Sequence, residues 1–498
     1  MASTACVPLL GRINCAVRRA SEPEPTMAMT NPTGKLSAPV RATAPVVASA
    51  PSVASIPVLA SVLALALAAP AATPGHLLAQ EGAHTMHGDY HDGVTVLRAA
   101  RMLDVVTGEM HTDAVLVVED GIITAVNPAT VPHSMHDMDL GDVTLLPGFI
   151  DAHTHLGSEI GATSFTDAVT RTEAYYAINA VRFGGLTVRA GFTTVRDFGG
   201  DVTVELGHAV ERGDIVGPRV IPSRNLLGIT GGHCDVTGFA PGIREGGPEQ
   251  GVADGPWEVV EAVRYQIKHG AKVIKTCATA GVLSMEGPVG AQQYSLEELT
   301  AMVEEAARHG VRVAAHAHGP EGILAAVRAG VASIEHGSVL TDEIMDLMIE
   351  KGTYLVPTTY LADRIDLDAL PALVRAKAEE ILPVMRVSLE RAIERGVPIA
   401  FGTDAGVFPH GENAGEFGIY VALGMSELDA LRTATIHAAD LLGTPDRGRL
   451  EVGMLADVIA VPGNPLDDIA VTMDVQFVMQ GGRVVKHVVD GRDMHSTG

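Results

Sequence analysis

The sequence predicts an α/β fold, a (β/α)8 TIM barrel with a small β-sandwich domain built from both termini. Two observations predict the barrel. Eight short apolar segments alternate with helical segments over roughly 250 residues, which is typical of this fold. Several helical segments end in a glycine just before the next strand, namely Gly191, Gly270, Gly310 and Gly330. A doubly wound open sheet is the alternative, but it would not explain metal-competent residues at the ends of so many strands.

The elements of the barrel are assigned by composition and period. Short apolar runs of strand length predict strands, and longer runs with a helical period predict helices. The predicted strands are Phe149–His155, Thr193–Asp197, Arg219–Ser223, Lys272–Ala278, Arg312–His318, Ser333–Gly337, Tyr354–Thr359 and Pro398–Asp404. The predicted helices between most of them are Asp167–Ala190, Pro256–His269, Ser295–His309, Pro320–Ala329, Thr341–Lys351 and Leu370–Arg395.

Two β-rich pieces flank the predicted barrel, which we place at residues 148–442. Residues 80–147 and 443–498 contain short alternating runs such as Ala114–Val118 and Val475–His487. Neither piece is large enough to be stable alone. Pairing them into one composite β-sandwich domain solves this and brings the chain ends together, as is common in domains.

Residues 1–79 predict a signal peptide or disordered leader. A long Ala-, Pro- and Ser-rich stretch with several arginines precedes the uncharged apolar run Ile56–Ala69 and the small residues Ala69–Ala72. This order is typical of a secretory signal, so we expect a secreted or periplasmic protein. The apolar run is short for a membrane span. An uncleaved anchor, a disordered tail and a start at Met27 or Met29 are the alternatives.

Length and charge exclude some classes of partner. A chain of 498 residues that is 47% hydrophobic can bury a barrel-sized core and a smaller companion domain. The formal net charge of −25 argues against a nucleic acid or an anionic membrane as partner, because both bind basic surfaces. We therefore expect a small-molecule substrate, no membrane contact after signal cleavage, and a homo-oligomer.

Four residues near the predicted strand ends are assigned structural roles. Cys234 and Cys277 are the two cysteines that remain after the leader. A disulfide between them is possible, but buried free thiols are the preferred interpretation. Arg196 and Asp197 end the second strand, where we expect a buried ion pair supporting the barrel.

Six metal-competent residues close successive predicted strands, and they are His153, His155, Lys275, His316, His336 and Asp404. Side chains two apart on a strand point to the same side, so His153 and His155 aim two imidazoles at one point. In a parallel barrel the carboxyl ends of the strands form the active face. Imidazole and carboxylate suit zinc-like divalent ions. The sequence therefore predicts a metal site at this face.

Four further residues are candidate substrate-binding groups, and they are His233, His318, Tyr360 and His410. His233 lies in a glycine-rich loop after the third strand, where it either binds a substrate carboxylate or carbonyl or packs the loop. His318 follows His316 by two residues, so we expect it to face the same cavity. The last two follow the seventh and eighth strands, although buried tyrosines are commonly structural.

Seven stretches together resemble a known family, and they are Leu146–His155, Gly191–Asp197, Gly270–Lys275, Ala315–Gly319, Ile334–Gly337, Phe401–Gly406 and Gly453–Val458. With them the chain from Val94 to His487 resembles the amidohydrolase superfamily. The resemblance is to its imidazolonepropionase-like and Xaa-Pro dipeptidase (prolidase)-like branch, which includes ochratoxin-hydrolysing amidases. The chain departs from the family at Cys234, where a glycine is more common.

The resemblance implies a two-metal site with zinc as the expected ion. It implies His153 and His155 on one ion, His316 and His336 on the other, an N6-carboxylated Lys275 bridging both, and Asp404 as ligand and proton shuttle. The chemistry of metal ligands agrees with a carboxylated lysine. The ammonium of an unmodified lysine has no lone pair to offer a metal, whereas a lysine carbamate is an anion with two oxygens. Two ions roughly 3.5–4 Å apart would activate a bridging water and polarise a carbonyl. An unmodified amine beside a single metal is the alternative.

The function expected from this resemblance is metal-dependent hydrolysis of a carbon–nitrogen bond. Asp404 would accept a proton from water and pass it to the leaving nitrogen. The expected substrates are Xaa-Pro or other dipeptides and N-acyl amino acids, with ochratoxin-type amides included. A cyclic amide or lactone hydrolase is one alternative, and a non-catalytic binding barrel is another. A deaminase is disfavoured because such single-metal relatives lack the bridging lysine.

Overall fold

The computed structural model describes residues 93–134 and 136–495. The predicted leader, residues 1–79, lies outside the described residues, so the signal peptide stays a prediction. None of the helices in the described ranges is both long enough and apolar enough to cross a membrane.

The described residues form sixteen strands and twelve α-helices in a mixed α/β fold. The strands are β1 Val94–Leu103, β2 Met110–Glu119, β3 Ile122–Val126, β4 His136–Asp139, β5 Val143–Pro147, β6 Phe149–Thr154, β7 Phe192–Asp197, β8 Arg219–Pro222, β9 Val273–Cys277, β10 Arg312–Ala317, β11 Ser333–His336, β12 Tyr354–Val356, β13 Val458–Pro462, β14 Phe477–Gln480, β15 Arg483–Val489 and β16 Arg492–Asp493. The helices are α1 Ser164–Thr170, α2 Glu173–Arg189, α3 Asp201–Glu211, α4 Gly255–Lys268, α5 Leu296–Arg308, α6 Pro320–Ala329, α7 Asp342–Lys351, α8 Leu361–Arg364, α9 Ala372–Arg395, α10 Gly415–Ala422, α11 Glu427–Arg432 and α12 Ala438–Leu442.

The central part of the chain consists of parallel strands separated by helices. Strands β6, β7 and β8 form one parallel sheet, and β9 to β12 form another. Isolated parallel bridges extend this order, and they join Leu227 to Thr276, Leu355 to Ile399 and Thr154 to Ala405. Because parallel strands run in one direction, their carboxyl ends lie at one edge. Seven of the eight predicted strands are present as β6 to β12.

The eighth predicted strand, Pro398–Asp404, is not a continuous strand. Its backbone bonds to both neighbours, with Asp404 N donating to the His153 carbonyl at 2.8 Å and Ala400 N to the Leu355 carbonyl at 3.0 Å. A Cβ on Gly402 would lie 2.2 Å from Val356, so the backbone runs very close to β12. Asp404 has a left-handed φ of +63°, which turns the chain out of strand geometry. The prediction of a regular strand there is wrong, because the segment joins its neighbours only through isolated bridges at Ile399 and Ala405 and not through a continuous ladder.

Two helix predictions also differ from the structure. The predicted helix Asp167–Ala190 is two helices, α1 and α2, because Arg171 and Thr172 between them adopt extended backbone angles. Helix α3 was not predicted, although Val204 and Leu206 bury one of its faces.

The flanking pieces pair directly in one mixed sheet of nine strands. Strand β13 from the C-terminal piece pairs antiparallel with β5 from the N-terminal piece, from Val458 opposite Pro147 to Pro462 opposite Val143. The hydrogen bonds connect all nine strands. Only Gly148 separates β5 from β6, so this sheet continues into the first strand that bears metal-competent residues.

An aromatic cluster packs at the amino-terminal ends of the parallel strands. Phe149 and Phe192 begin β6 and β7, and their ring centroids lie 5.5 Å apart. Phe401 packs against Phe192 at 5.4 Å and against Phe417 of α10 at 4.4 Å. All four side chains are buried. Such packing holds the strand starts in register and so positions the opposite strand ends.

We expect Phe401→Ala to destabilise the protein by about 3–5 kcal/mol, since it removes a fully buried ring and leaves a cavity. Trp257→Ala is the control, because Trp257 is 87% exposed and its loss should change the free energy of unfolding by less than about 0.5 kcal/mol. Urea unfolding followed by circular dichroism measures both. Tryptophan fluorescence is not suitable, because Trp257 is the single tryptophan and the control substitution removes it. Equal effects of the two substitutions would contradict the packing described.

Candidate metal centre

The structure brings all six predicted metal-competent residues to one cavity of about 350 Å³. They come from β6, β9, β10, β11 and the segment after Ile399, and they are His153, His155, Lys275, His316, His336 and Asp404. These elements end at the carboxyl edge of the parallel strands, so residues far apart in sequence converge. Positions near the strand ends, which the sequence predicts, therefore bring the six residues together.

Distances within the group are those of a compact ligand set. Asp404 Oδ1 lies 3.0 Å from His155 Nε2 and 3.3 Å from His153 Nε2. Lys275 Nζ lies 3.5 Å from His153 Nε2. One ligand atom each of His153, His336 and Asp404 lies within 4.8 Å of the others, and the same holds for His316, His318 and His336. Two neighbouring triads of this kind suit a pair of divalent ions.

An open donor atom supports this fit. The Nε2 of His316 is buried and has no hydrogen-bond partner among the described residues. A buried polar atom without a partner is unfavourable unless a ligand fills the position. A metal ion is such a ligand for neutral imidazole, so the donor set fits metal binding.

Hydrogen bonds at Nδ1 orient the imidazoles. His153 Nδ1 donates to Glu335 Oε2 at 2.8 Å, and His155 Nδ1 donates to the Phe198 carbonyl at 3.1 Å. His336 Nδ1 lies 2.7 Å from the hydroxyl of Thr358. An acceptor at Nδ1 leaves Nε2 with its lone pair directed at the cavity. The rings of His153 and His155 are therefore held in the tautomer that binds metal.

Glu335 belongs to a buried ionic network that the sequence did not reveal. Its Oε1 accepts from Arg196 at 2.8 Å while its other oxygen binds His153. The expected ion pair of Arg196 with Asp197 is wrong, because neighbours on a strand point to opposite sides. Asp197 instead accepts from Leu156 N and Thr154 Oγ1. The sequence feature that could have revealed this network is Glu335 itself, a glutamate next to His336 in an apolar predicted strand.

Burial and neighbouring charge set the protonation of the site. Burial lowers the pKa of Lys275 to about 8, which increases the fraction of neutral amine near neutral pH. Burial, with the surrounding positive charges, puts the pKa of His316 and His336 well below its ordinary value. Burial raises the pKa of Glu335, but Arg196 and His153 outweigh it and hold the value at about 2. His316 and His336 are thus neutral and Glu335 is ionised at neutral pH. Burial lowers the pKa of His155, but the hydrogen bond and charge of Asp404 outweigh it and raise that pKa above its ordinary value.

Two of the metal-competent residues have strained backbones. His336 has a φ of +69° and Asp404 a φ of +63°, both in the left-handed region that non-glycine residues seldom adopt. Asp151 maintains the backbone conformation near Asp404, because its carboxylate accepts hydrogen bonds from Thr403 Oγ1 at 2.6 Å and from the Asn413 side chain at 2.8 Å. Strain that the surroundings maintain is common at functional sites.

The four candidate substrate-binding residues fall into two groups. His233 and His318 line the cavity, and the ring of His233 lies 4.3 Å from that of His316. Tyr360 and His410 are not among the described residues that line it. The Tyr360 ring packs so closely on α10 that a Cβ on Gly415 would lie 2.2 Å from it. His410 stacks on Phe183 at 4.5 Å and donates Nε2–H to the Ser158 carbonyl.

The two cysteines form a disulfide, so the preference for free thiols is wrong. The Cα atoms of Cys234 and Cys277 lie 5.8 Å apart, within the range of natural disulfides. The parallel bridge between Leu227 and Thr276 brings the loop after β8 beside the end of β9. Sequence spacing did not reveal this neighbourhood. The bond ties the loop that carries His233 to the strand that carries Lys275.

We expect Glu335→Gln to weaken metal binding by about 10–100-fold, because the acceptor that orients His153 loses its charge. A competition titration with a chelating dye measures this. Glu335 has a lowered pKa in the folded state, so its stabilisation is present above its ordinary pKa of about 4.5 and is lost as the pH falls toward about 2. Acid unfolding of the variant should lack that contribution. Glu304→Gln, at an exposed position of α5, is the control, and equal metal affinities in the two variants would contradict the orienting role.

Comparison with known proteins agrees with this geometry. The amidohydrolase family pattern matches residues 144–493. A crystal structure of a Xaa-Pro dipeptidase with bound methionine in its active site is 38% identical, covers 79% of this chain and 99% of that one, and has a TM-score of 0.74. Ochratoxinase of Aspergillus niger is 35% identical over 79% of this chain and 87% of its own. Imidazolonepropionase of Deinococcus radiodurans is 25% identical over 76% and 92%. These matches confirm the resemblance drawn from the motifs, and the chain belongs to the amidohydrolase family.

Proposed function

We propose that this protein is a two-metal hydrolase that cleaves the amide bond of dipeptides, Xaa-Pro among them, or of N-acyl amino acids. Family membership indicates a hydrolase acting on amide bonds. The observation that carries the finer proposal is the convergence of six metal-competent side chains on one cavity, five of them buried and His155 half-buried. A protein that only binds its ligand has no need of two metal triads and a proton acceptor.

The proposed ligand assignment is the one that the family resemblance implies. His153 and His155 would hold one ion, with Asp404 Oδ1 at 3.3 and 3.0 Å from their Nε2 atoms. His316 and His336, which share one candidate ligand group, would hold the other. Lys275 would bridge them as a carbamate, and its lowered pKa favours the neutral amine that reacts with carbon dioxide. The ions would supply polarisation of the scissile carbonyl and a lowered pKa for the attacking water.

The side chains of the chain perform the remaining steps. Asp404 accepts a proton from the attacking water and delivers it to the leaving nitrogen, acting first as general base and then as general acid. His233 has Nδ1 engaged by Ser284 at 2.5 Å, so its Nε2 is available to a substrate carboxylate or carbonyl. His318 is held in the same way through Ser338 at 2.7 Å. Both rings line the cavity and can orient the substrate.

The finer fold and the location of the protein are part of this proposal. We infer a closed eight-stranded barrel, supported by the bridges that link Thr154 to Ala405 and Leu355 to Ile399, with the nine-stranded sheet as its sandwich domain. We also infer export of the protein, supported by the signal pattern in residues 1–79 and by the Cys234–Cys277 disulfide, a bond typical of oxidising compartments. The homo-oligomer stays a prediction.

We expect the purified protein to hold about two divalent ions per chain, measured by elemental analysis. Lys275→Ala should lose at least one ion and roughly 100-fold or more of its amidase activity, the scale on which transition-state contacts act. A short carboxylic acid should restore part of both, because a small anion can occupy the vacated bridge. Lys272→Ala, at an exposed position just before β9, is the control. Normal turnover and full metal content in Lys275→Ala would refute the proposal.

A further inference from the structure

The cavity has an apolar part of its lining that the proposed chemistry does not use. Besides the imidazoles, it is lined by an apolar wall that we define as Leu283, Leu361, Ile381, Leu382 and Met385. The proposed hydrolysis gives none of these side chains a role. Ligand pockets commonly combine a few polar groups with an apolar surface that binds the rest of the ligand. The wall therefore requires an occupant of its own.

Helix α9 supplies most of the wall through one of its faces. Ala378, Ile381, Leu382 and Met385 are spaced three and four residues apart, so they form a single stripe along the helix. Such a stripe normally packs against other side chains of the core. Here it faces a cavity of about 350 Å³, within the size range of small-molecule sites.

The wall is fixed in place by a buried lysine. Lys377, next to Ala378 on α9, donates to the carbonyl oxygens of Gly281 at 3.3 Å and Ser284 at 3.0 Å. These carbonyls belong to the loop after β9 that carries Leu283. The same loop supports His233, because a Cβ on Gly281 would lie 2.2 Å from the His233 ring. The apolar wall and His233 are thus held together before any substrate enters.

Charge in the cavity argues against a polar occupant of the wall. Among the residues that the structure describes, its lining contains no arginine and no lysine besides Lys275. A charged or strongly polar substituent placed against Ile381 and Met385 would lose its hydration without gaining a partner. A bulky apolar group would instead bury hydrocarbon against hydrocarbon.

We propose that the apolar wall binds a bulky apolar substituent, aromatic or branched aliphatic, on one side of the scissile amide. The inference rests on the proposed amidase function and names its substrate class as dipeptides or N-acyl amino acids that carry such a group. Leu382 is the specificity-determining residue best placed to test it, because it is only half-buried and packs against a small apolar cluster as one of its partly buried members.

Two substrate series test the proposal with the metal-loaded enzyme. One varies the amino acid of an N-acetyl amino acid from glycine through alanine and leucine to phenylalanine, with glutamate as the polar member. The other varies the acyl group on one amino acid from acetyl through butyryl to benzoyl. We expect kcat/KM to rise about tenfold or more for each large apolar increment in at least one series, mainly through KM. Equal values across both series would overturn the proposal.

Substitution of the wall adds a second test. Leu382→Gln should lower the preference for the bulky apolar substrate over the smallest one by about tenfold, with the metal content unchanged. Val387→Gln, on the exposed side of the same helix, is the matched control and should leave the preference unchanged. An equal loss on all substrates in Leu382→Gln would contradict a specificity role.

A binding measurement separates this inference from the proposed function. Calorimetric titration of the metal-loaded protein with N-benzenesulfonyl and N-methanesulfonyl amino acids reports occupancy of the wall without turnover, because amide hydrolysis does not cleave a sulfonamide. If no amide is cleaved but bulky apolar ligands bind more tightly, and Leu382→Gln removes that difference, the amidase proposal fails and the wall stands. If amides are cleaved but the affinity is the same for bulky apolar and small ligands, the wall proposal fails and the amidase proposal stands.

Discussion

The donor atoms of the site lie where bulk water cannot solvate them, and the rest of the site is arranged around that constraint. Lys275 and His153 are almost completely buried, and Glu335 is fully buried. An unpaired charge in such surroundings is strongly unfavourable. Glu335 therefore pairs with Arg196 on one oxygen and with His153 on the other. The same burial keeps His316 and His336 neutral, which is the form that binds metal.

The polar and the apolar parts of the cavity lining come from different elements. The polar donors lie at or just beyond the carboxyl ends of the parallel strands and in the segment after Ile399, and two of them, His336 and Asp404, have left-handed backbone angles. Helix α9 and the loop after β9 supply most of the apolar wall, and Lys377 joins them. The Cys234–Cys277 disulfide ties the His233 loop to β9. In the proposed function, the reacting groups are thus held mainly by strand ends, whereas the groups proposed to select the substrate lie on loops and on a helix.

The sequence predicted what local pattern determines and missed what depends on long-range geometry. The pattern of apolar residues along the chain predicts where the strands end. All six metal-competent residues could therefore be named from the sequence, and the structure brings them together. The pairing of Arg196 with Glu335 crosses 139 residues between strands that are not neighbours, and no local signal reports it. The disulfide likewise depends on the path of a loop. Tyr360 follows a strand end as His318 does, but its ring packs on α10, a direction that sequence spacing does not encode.

The central claim is that Lys275 carries a carbamate that joins two metal ions. Carbon-13 nuclear magnetic resonance of protein loaded with metal in the presence of labelled bicarbonate tests it most directly. We expect a carbamate carbonyl signal in the wild-type protein that grows with binding of the second ion and is absent from Lys275→Ala. A fully active protein with two ions per chain and no such signal would contradict it.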